Sequence, residues 1–208
     1  MTIPVTVVVE GPTTDVAVAG RILKAVGCSV DIIYGRSGKG TIMRNLGGYN
    51  KAAQFAPWFV LRDLDHDASC APALVSSTLQ GPAKWMRYRI AVRGVEAWLL
   101  ADPEALAGFL RVRRELMPQD PDGLSNPKAA VVSLARKSRS SQIRRDVVPA
   151  SGTSALVGPA YSSRMAEFVS DHWRPDVARN RSDSLRRCLD RVRELASYST
   201  GTTGRSVR

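Results

Sequence analysis

Four short apolar runs, rich in β-branched residues, alternate with helix-forming segments over the first hundred positions of the chain. The runs occupy residues 5–9, 28–34, 59–62 and 88–92, and a helical pattern follows each of them. Strands that recur in this way are joined by right-handed crossovers, which place them parallel in one sheet with helices on both faces. The sequence therefore predicts the α/β class, with a mostly parallel sheet flanked by helices.

The β-forming pattern stops after Met117, and the rest of the chain favours helices. The clearest of these helices is predicted over residues 181–196, where apolar residues recur at helical spacing. We therefore predict an α/β domain over residues 1–117 and a basic helical C-terminal extension over 118–196. Residues 197–208, which are rich in Ser, Thr, Gly and Arg, are predicted to form a disordered tail.

Basic side chains are concentrated in the second half of the chain. The protein has 30 basic and 19 acidic side chains, a formal net charge of +11, and residues 1–110 hold only 11 of the basic and 9 of the acidic groups. Most basic residues in the second half are arginines, which bind phosphate through two parallel hydrogen bonds. This distribution indicates a polyanionic partner, and the alternative is a solvated basic surface.

Two basic clusters in the second half are the predicted contacts to a nucleic-acid backbone. They consist of Arg136, Lys137, Arg139, Arg144 and Arg145. Lysine and arginine side chains neutralise phosphates without reading sequence, and no aromatic residues alternate with these cations to stack on bases. The pattern favours backbone binding, with a solvated helix and loop surface as the alternative.

The three cysteines lie far apart, at positions 28, 70 and 188, and form no Cys-x-x-Cys pair. Neither a zinc site nor a disulfide framework is therefore predicted. No apolar stretch reaches the roughly 20 residues that a membrane span requires. We expect a cytoplasmic protein that does not associate with membranes.

Three aspartates follow the third apolar run at every second position, as Asp63, Asp65 and Asp67. Alternate side chains of an extended segment point the same way, so Asp63 and Asp65 are expected to project together from a strand's C-terminal end, where open α/β sheets bind ligands. Neighbouring carboxylates repel each other unless a cation such as Mg²⁺ compensates. The alternative is a turn in which Asp65 or Asp67 caps the helix that begins near Ala71.

Glu10 ends the first apolar run and is followed by Gly11. In a parallel sheet it emerges at the same edge as Asp63 and Asp65. An acidic side chain that ends a buried strand is costly unless it is paired or binds a metal. Glu10 therefore joins the two aspartates as a candidate ligand, although taken alone it fits an acid at a helix start equally well.

These acidic motifs resemble those of a Toprim domain, the metal-binding α/β domain of topoisomerases, bacterial primases and OLD-family nucleases. The run Val-Glu-Ala-Trp-Leu-Leu-Ala-Asp over residues 95–102 is similar to an uncharacterised Toprim-like family, often encoded beside ABC-type ATPases as the nuclease half of a split OLD-like system. The resemblance covers residues 5–105. One position departs from the usual spacing, because Asp15 follows the first acid by five residues rather than four, and it is either a further ligand or a side chain that orients the helix start.

The resemblance implies a metal-dependent phosphodiesterase or DNA nuclease with Mg²⁺ or Mn²⁺ as cofactor. Glu10, Asp63 and Asp65 would hold one ion. Glu96 and Asp102 would hold a second ion or support the first, and the alternative for both is a structural role at a helix start.

The same resemblance implies partners and a biological setting. DNA would be the substrate, a separate ABC-type ATPase would act with the chain, and the pair would serve in anti-phage or anti-plasmid defence. A homo-oligomer is left open. The alternative function is a non-catalytic Toprim-like subunit, whose acids cap helices and whose basic half binds nucleic acid or the ATPase.

A glycine-rich turn over residues 35–40 follows the second predicted strand and carries Lys39. It is not a Walker loop, because Gly40 rather than Ser or Thr follows Lys39 and the glycine spacing is too short. Its backbone N–H groups and Lys39 are instead expected to approach a nucleic-acid phosphate, with Lys39 offsetting charge near the scissile bond. A plain turn is the alternative.

Overall fold

A computed structural model describes residues 2–198 of the chain. Four strands form one sheet in the order β2-β1-β3-β4, and each neighbouring pair is parallel. The strands are β1 (Ile3–Val9), β2 (Cys28–Gly35), β3 (Trp58–Asp63) and β4 (Met86–Ala91). The predicted α/β class, a parallel sheet flanked by helices, is confirmed.

Helices connect the strands and make up the regular structure after β4. They are α1 (Thr14–Ala25), α2 (Lys39–Ala52), α3 (Ala71–Thr78), α4 (Val95–Leu100), α5 (Pro103–Leu110), α6 (Pro127–Arg136), α7 (Ser141–Val147), α8 (Tyr161–Asp171), α9 (Pro175–Ala178) and α10 (Asp183–Tyr198). A 3-10 helix spans Arg114–Leu116. In the described part of the chain, no helix is long and apolar enough to cross a membrane.

Alternate residues of the strands face opposite sides of the sheet, as the period of two requires. Val7 and Phe59 belong to one hydrophobic core, which includes residues of α1 and α4, whereas Val8 and Val60 belong to the other, beneath α2 and α3. The central strands β1 and β3 are buried on both faces, which explains their nearly continuous apolar sequence.

The C-terminal helices belong to the same core as the first half of the chain. Trp98 in α4 is fully buried, and its indole N–H donates to Ser184 Oγ at 2.6 Å. The indole N–H of Trp173 in turn donates to the Trp98 carbonyl at 3.2 Å. The predicted boundary between residues 117 and 118 therefore does not coincide with a break in the packing.

The predicted tail begins too early. Helix α10 continues through Tyr198, so its end lies two residues beyond the predicted one. The rest of the predicted tail, residues 199–208, lies outside the described residues. Within α10, Leu185, Leu189 and Val192 are buried, which confirms the apolar stripe that defined this helix in the sequence.

Candidate functional site

The structure brings three of the predicted acids to one edge of the sheet. Glu10 directly follows β1, and Asp63 is the last residue of β3. Because Val8 pairs with Val60 in the parallel register, β1 and β3 end side by side. Asp65 lies two residues beyond β3 and has a positive φ of 48°, which turns the backbone away from the strand.

Asp63 and Glu96 direct oxygens toward the same small space at Gly94. A Cβ atom built at Gly94 would lie 3.1 Å from Glu96 Oε2 and 3.3 Å from Asp63 Oδ2. The other Asp63 oxygen accepts a 3.0 Å hydrogen bond from the Val95 N–H at the start of α4. The absence of a side chain at Gly94 therefore leaves room between two carboxylates.

Glu96 is held by two residues from the second half of the chain. Its side chain is only 5% exposed, and Oε1 accepts a hydrogen bond from the Tyr161 hydroxyl at 3.2 Å. Lys128 Nζ, at the start of α6, lies 3.5 Å from the same oxygen. Neither Lys128 nor Tyr161 was predicted as part of the site.

Arg62 and Lys39 provide positive charge within the cluster. The Arg62 side chain is 4% exposed, its Nε lies 3.3 Å from Glu10 Oε1, and one of its terminal nitrogens pairs with Asp67. Glu10 Oε1 has no hydrogen-bond partner, so the contact with Arg62 is ionic only. Lys39 Nζ lies 2.8 Å from Asp67 Oδ1 and 3.3 Å from Asp65 Oδ2, which places Lys39 at the acidic cluster.

This arrangement decides between the alternatives that the sequence left open for the start of α3 and for Asp15. Cys70 is the N-cap residue of α3, and no side chain caps that helix, so capping of α3 by Asp65 or Asp67 is wrong. Asp15, in contrast, does order the start of α1, because its Oδ2 accepts a 2.7 Å hydrogen bond from the Gly11 N–H.

Asp102 has a different environment from the other predicted ligands. Its carboxylate is fully buried, caps α5 by accepting from the Ala105 N–H at 3.3 Å, and pairs with the Arg174 guanidinium at 2.6 Å. The Arg174 N–H donates to it as well, at 3.2 Å. The structural alternative therefore accounts for Asp102, because its oxygens are all used in this cap and ion pair.

The negative charge of the acidic cluster is only partly compensated by the cations around it, as the raised pKa values of two carboxylates indicate. Burial raises the pKa of Glu10 to about 7, although Arg62 opposes the shift. Burial also raises the pKa of Asp63 well above its usual value, and the nearby carboxylates of Glu96, Asp15, Glu10 and Asp65 raise it further. Carboxylates that repel each other in this way are typical of sites that bind a metal cation, since the cation compensates their charge.

The side chains fit Mg²⁺ or Mn²⁺ in chemistry but are not gathered around a common point. Between residues 2 and 198, no group of three or more Asp, Glu, His or Cys side chains is arranged to hold a metal ion. The donors are nevertheless carboxylate oxygens, which hard divalent cations prefer. Glu10 Oε1 accepts no hydrogen bond and has only its ionic contact with Arg62, and one oxygen each of Asp63 and Glu96 lies at Gly94. Binding would require Glu10 and Asp65 to turn from Arg62 and Lys39 toward Asp63.

The predicted nucleic-acid contacts lie at the other end of α6 from Lys128. Arg136, Lys137 and Arg139 are exposed. Arg144 and Arg145 are exposed too, but their guanidinium groups donate to the Ser138 carbonyl and to Gln142 Oε1.

The comparisons with known proteins identify no relative. No protein-family model, curated protein or solved structure matches this chain. The assignment of a function therefore depends on the site itself.

Two basic residues at the site carry a signal in the sequence. Arg62 interrupts an apolar strand, and a buried charge in such a position must be paired. Arg93 follows β4 at the same sheet edge, and its guanidinium donates to the Asp65 carbonyl at 2.7 Å. Lys128 and Tyr161 left no such signal, because their approach depends on how distant helices pack.

The raised pKa values predict how stability depends on pH. The folded protein holds a proton on Glu10 more tightly than the unfolded chain does, and this difference contributes to the free energy of unfolding. The contribution is full below pH about 4.5 and is lost as the pH rises through about 7. In metal-free buffer we expect urea unfolding to show a decreasing free energy of unfolding between pH 5 and 8. Glu10→Gln should raise that free energy at pH 8 by about 1–2 kcal/mol, a value reduced for partial solvation.

The exposed Glu115→Gln is the matched control for this prediction, since it removes the same charge from the surface. Its pH profile should follow the wild type. A Glu10→Gln profile that also follows the wild type would show that burial of Glu10 does not weaken the fold.

Proposed function

We propose that this chain is a divalent-metal-dependent phosphodiesterase of the Toprim type, a DNA nuclease subunit. The observation that carries the proposal is the position of Glu10, Asp63 and Asp65 at the carboxyl ends of two adjacent parallel strands, with an oxygen of Glu96 and one of Asp63 both close to Gly94. Ligands of open α/β sheets bind at this edge. When bound, Mg²⁺ or Mn²⁺ would supply an activated water and stabilise the leaving oxygen.

The chain's own residues would position the substrate around that centre. Glu10, Asp63 and Asp65 would hold the cation, and Glu96 would be kept in place by Tyr161 and Lys128. Lys39, which is 44% exposed beside Asp65, would turn from the carboxylates to a substrate phosphate when a cation replaces it. A separate ATPase partner and a role in defence against foreign DNA remain part of the proposal through the resemblance of residues 5–105 alone.

A non-catalytic subunit is the second candidate, and one observation favours it. Arg62 and Lys39 already pair with Glu10, Asp65 and Asp67, so the protein partly neutralises its own acids. In that case the sheet edge would be a structural ion-pair network, and the basic half would bind nucleic acid or an ATPase.

Calorimetric titration of the purified protein with Mn²⁺ separates the two candidates. We expect binding in the micromolar range by the wild type and none by Asp63→Ala/Asp65→Ala. The control is Asp120→Ala/Asp171→Ala, which removes two exposed carboxylates and should bind Mn²⁺ as the wild type does. Equal Mn²⁺ binding by the wild type and the Asp63/Asp65 variant would contradict the metal site, and absence of binding by the wild type would favour the non-catalytic subunit.

A further inference from the structure

Four cations that belong to two segments of the chain line one continuous groove. Arg113, Lys137 and Arg139 line a depression of about 350 Å³, and Arg111, Arg113 and Arg139 line an adjoining one of about 590 Å³. The Arg139 N–H donates to the Arg111 carbonyl at 3.1 Å, which ties the two segments together. We refer to Arg111, Arg113, Lys137 and Arg139 as the basic groove.

The charges of the basic groove are not compensated. All four side chains are exposed, and none of them forms an ion pair or a side-chain hydrogen bond with any residue in the described range 2–198. Arg111 ends α5 in the left-handed conformation, with a φ of 54°, so the chain turns away from the helix axis just before Arg113. Four unpaired cations around one concave surface concentrate positive potential there, which attracts polyanions.

A second, larger cavity has the opposite character. It measures about 1000 Å³ and lies between α3 and α10. The arginines that α10 contributes are paired with acids that line the same cavity, because Arg186 and Arg187 contact Asp183, and Arg191 contacts Glu194. The positive charge of α10 is therefore largely neutralised within the protein, whereas that of the basic groove is directed to solvent.

Helix α6 runs from the acidic cluster toward the basic groove. Lys128, near its first turn, contacts Glu96, and Arg136 is its last residue, directly before Lys137. Eight residues at 1.5 Å each separate the two ends by about 12 Å along the helix axis. This length corresponds to about three to four base pairs of B-form DNA.

We propose that the basic groove binds the phosphate backbone of a nucleic acid about three to four base pairs from the acidic cluster. Guanidinium groups match phosphate geometry in two hydrogen bonds, and three of the four cations are arginines. The remaining lining consists of small and aliphatic side chains without an aromatic anchor of the kind that dominates protein interfaces. The groove is thus suited to phosphate rather than to a protein partner. The spacing between the basic groove and the site of cleavage rests on the proposed function, whereas the binding of phosphate by the groove does not.

Fluorescence anisotropy with a labelled 20-base-pair duplex in EDTA tests the binding without any metal or cleavage. Arg111→Ala/Arg139→Ala should weaken affinity about tenfold and reduce the slope of log K against log salt by about two. The matched control is Arg186→Ala/Arg193→Ala, which also removes two positive charges, at exposed arginines of α10 that form ion pairs. The control variant should lose far less affinity than the groove variant. Equal losses in both variants, or unchanged binding by the groove variant, would overturn the proposal.

Competition distinguishes phosphate from other polyanions. Poly-glutamate at the same charge concentration should not displace the duplex from the wild type. Displacement by poly-glutamate would overturn recognition of phosphate and indicate an acidic protein as the partner.

The spacing is tested by cleavage with Mn²⁺, using linker-closed duplex stems of decreasing length. The wild type should cut a 20-base-pair duplex faster than the groove variant does. This advantage should disappear for a stem of about three base pairs, kept paired by an ethylene-glycol linker that joins its two strands, because so short a stem cannot span the 12 Å. An advantage that persists on the shortest duplex would overturn the spacing. If no substrate is cut while groove-dependent binding in EDTA persists, the proposed nuclease activity fails and the binding site stands.

Discussion

Asp63→Asn is expected to abolish metal-dependent cleavage while leaving the protein at least as stable as the wild type. The loss should be about 10³-fold or more, since a metal centre contributes several kcal/mol to the barrier and each 1.4 kcal/mol is tenfold. Stability should not fall, because burial and four neighbouring carboxylates already disfavour the charged form of Asp63. The amide oxygen of the introduced asparagine can still accept the hydrogen bond from the Val95 N–H.

Cleavage of a labelled duplex in Mn²⁺ and urea unfolding at pH 8 measure the two effects on the same preparation. Asp31→Asn is the control, since it makes the same chemical change at an exposed position of β2 and should alter neither quantity. An Asp63→Asn protein that is folded and cuts at the wild-type rate would exclude Asp63 from the chemistry. If Asp63→Asn is folded but inactive, the chain keeps a destabilising buried carboxylate at this position because the activity requires it.

The sheet edge could be predicted from sequence because strand ends are local features. The β-branched runs define β1 and β3, and parallel pairing then brings Glu10 and Asp63 to the same side without knowledge of any distant contact. Lys39 could be predicted in the same way, since the turn after β2 ends at that edge. The fold class and the position of the acids at the sheet edge therefore follow from the order of the predicted strands and helices along the chain.

The partners of those acids could not be predicted, because they come from helices whose positions the local pattern does not determine. Lys128 is 32 residues beyond Glu96 along the chain and Tyr161 is 65 residues beyond it. Both reach Glu96 only after α6 and α8 have packed on the core. The short helices α7 and α9 lie within the predicted helical extension but could not be predicted individually, since four to seven residues are too few to establish a helical period.

Asp102→Ala is expected to lower the free energy of unfolding by about 3 kcal/mol. The substitution removes the α5 cap and the charge-assisted hydrogen bonds from Arg174 to a fully buried carboxylate, and it leaves the Arg174 N–H without its acceptor. Urea unfolding measures the change. Glu104→Ala is the control, because Glu104 contacts the same arginine from a 72% exposed position and should cost less than about 0.5 kcal/mol.

Asp102→Asn then decides between the cap and the metal-ligand prediction for this residue. Asparagine keeps an oxygen for the Ala105 N–H but loses the charge, so the folded protein should be destabilised by roughly half as much and should bind Mn²⁺ as the wild type does. A folded Asp102→Asn protein that no longer binds Mn²⁺ would instead make Asp102 a ligand. The arrangement of its oxygens argues for the first outcome, since a carboxylate with a helix N–H and a guanidinium on its two oxygens has no free face for a cation.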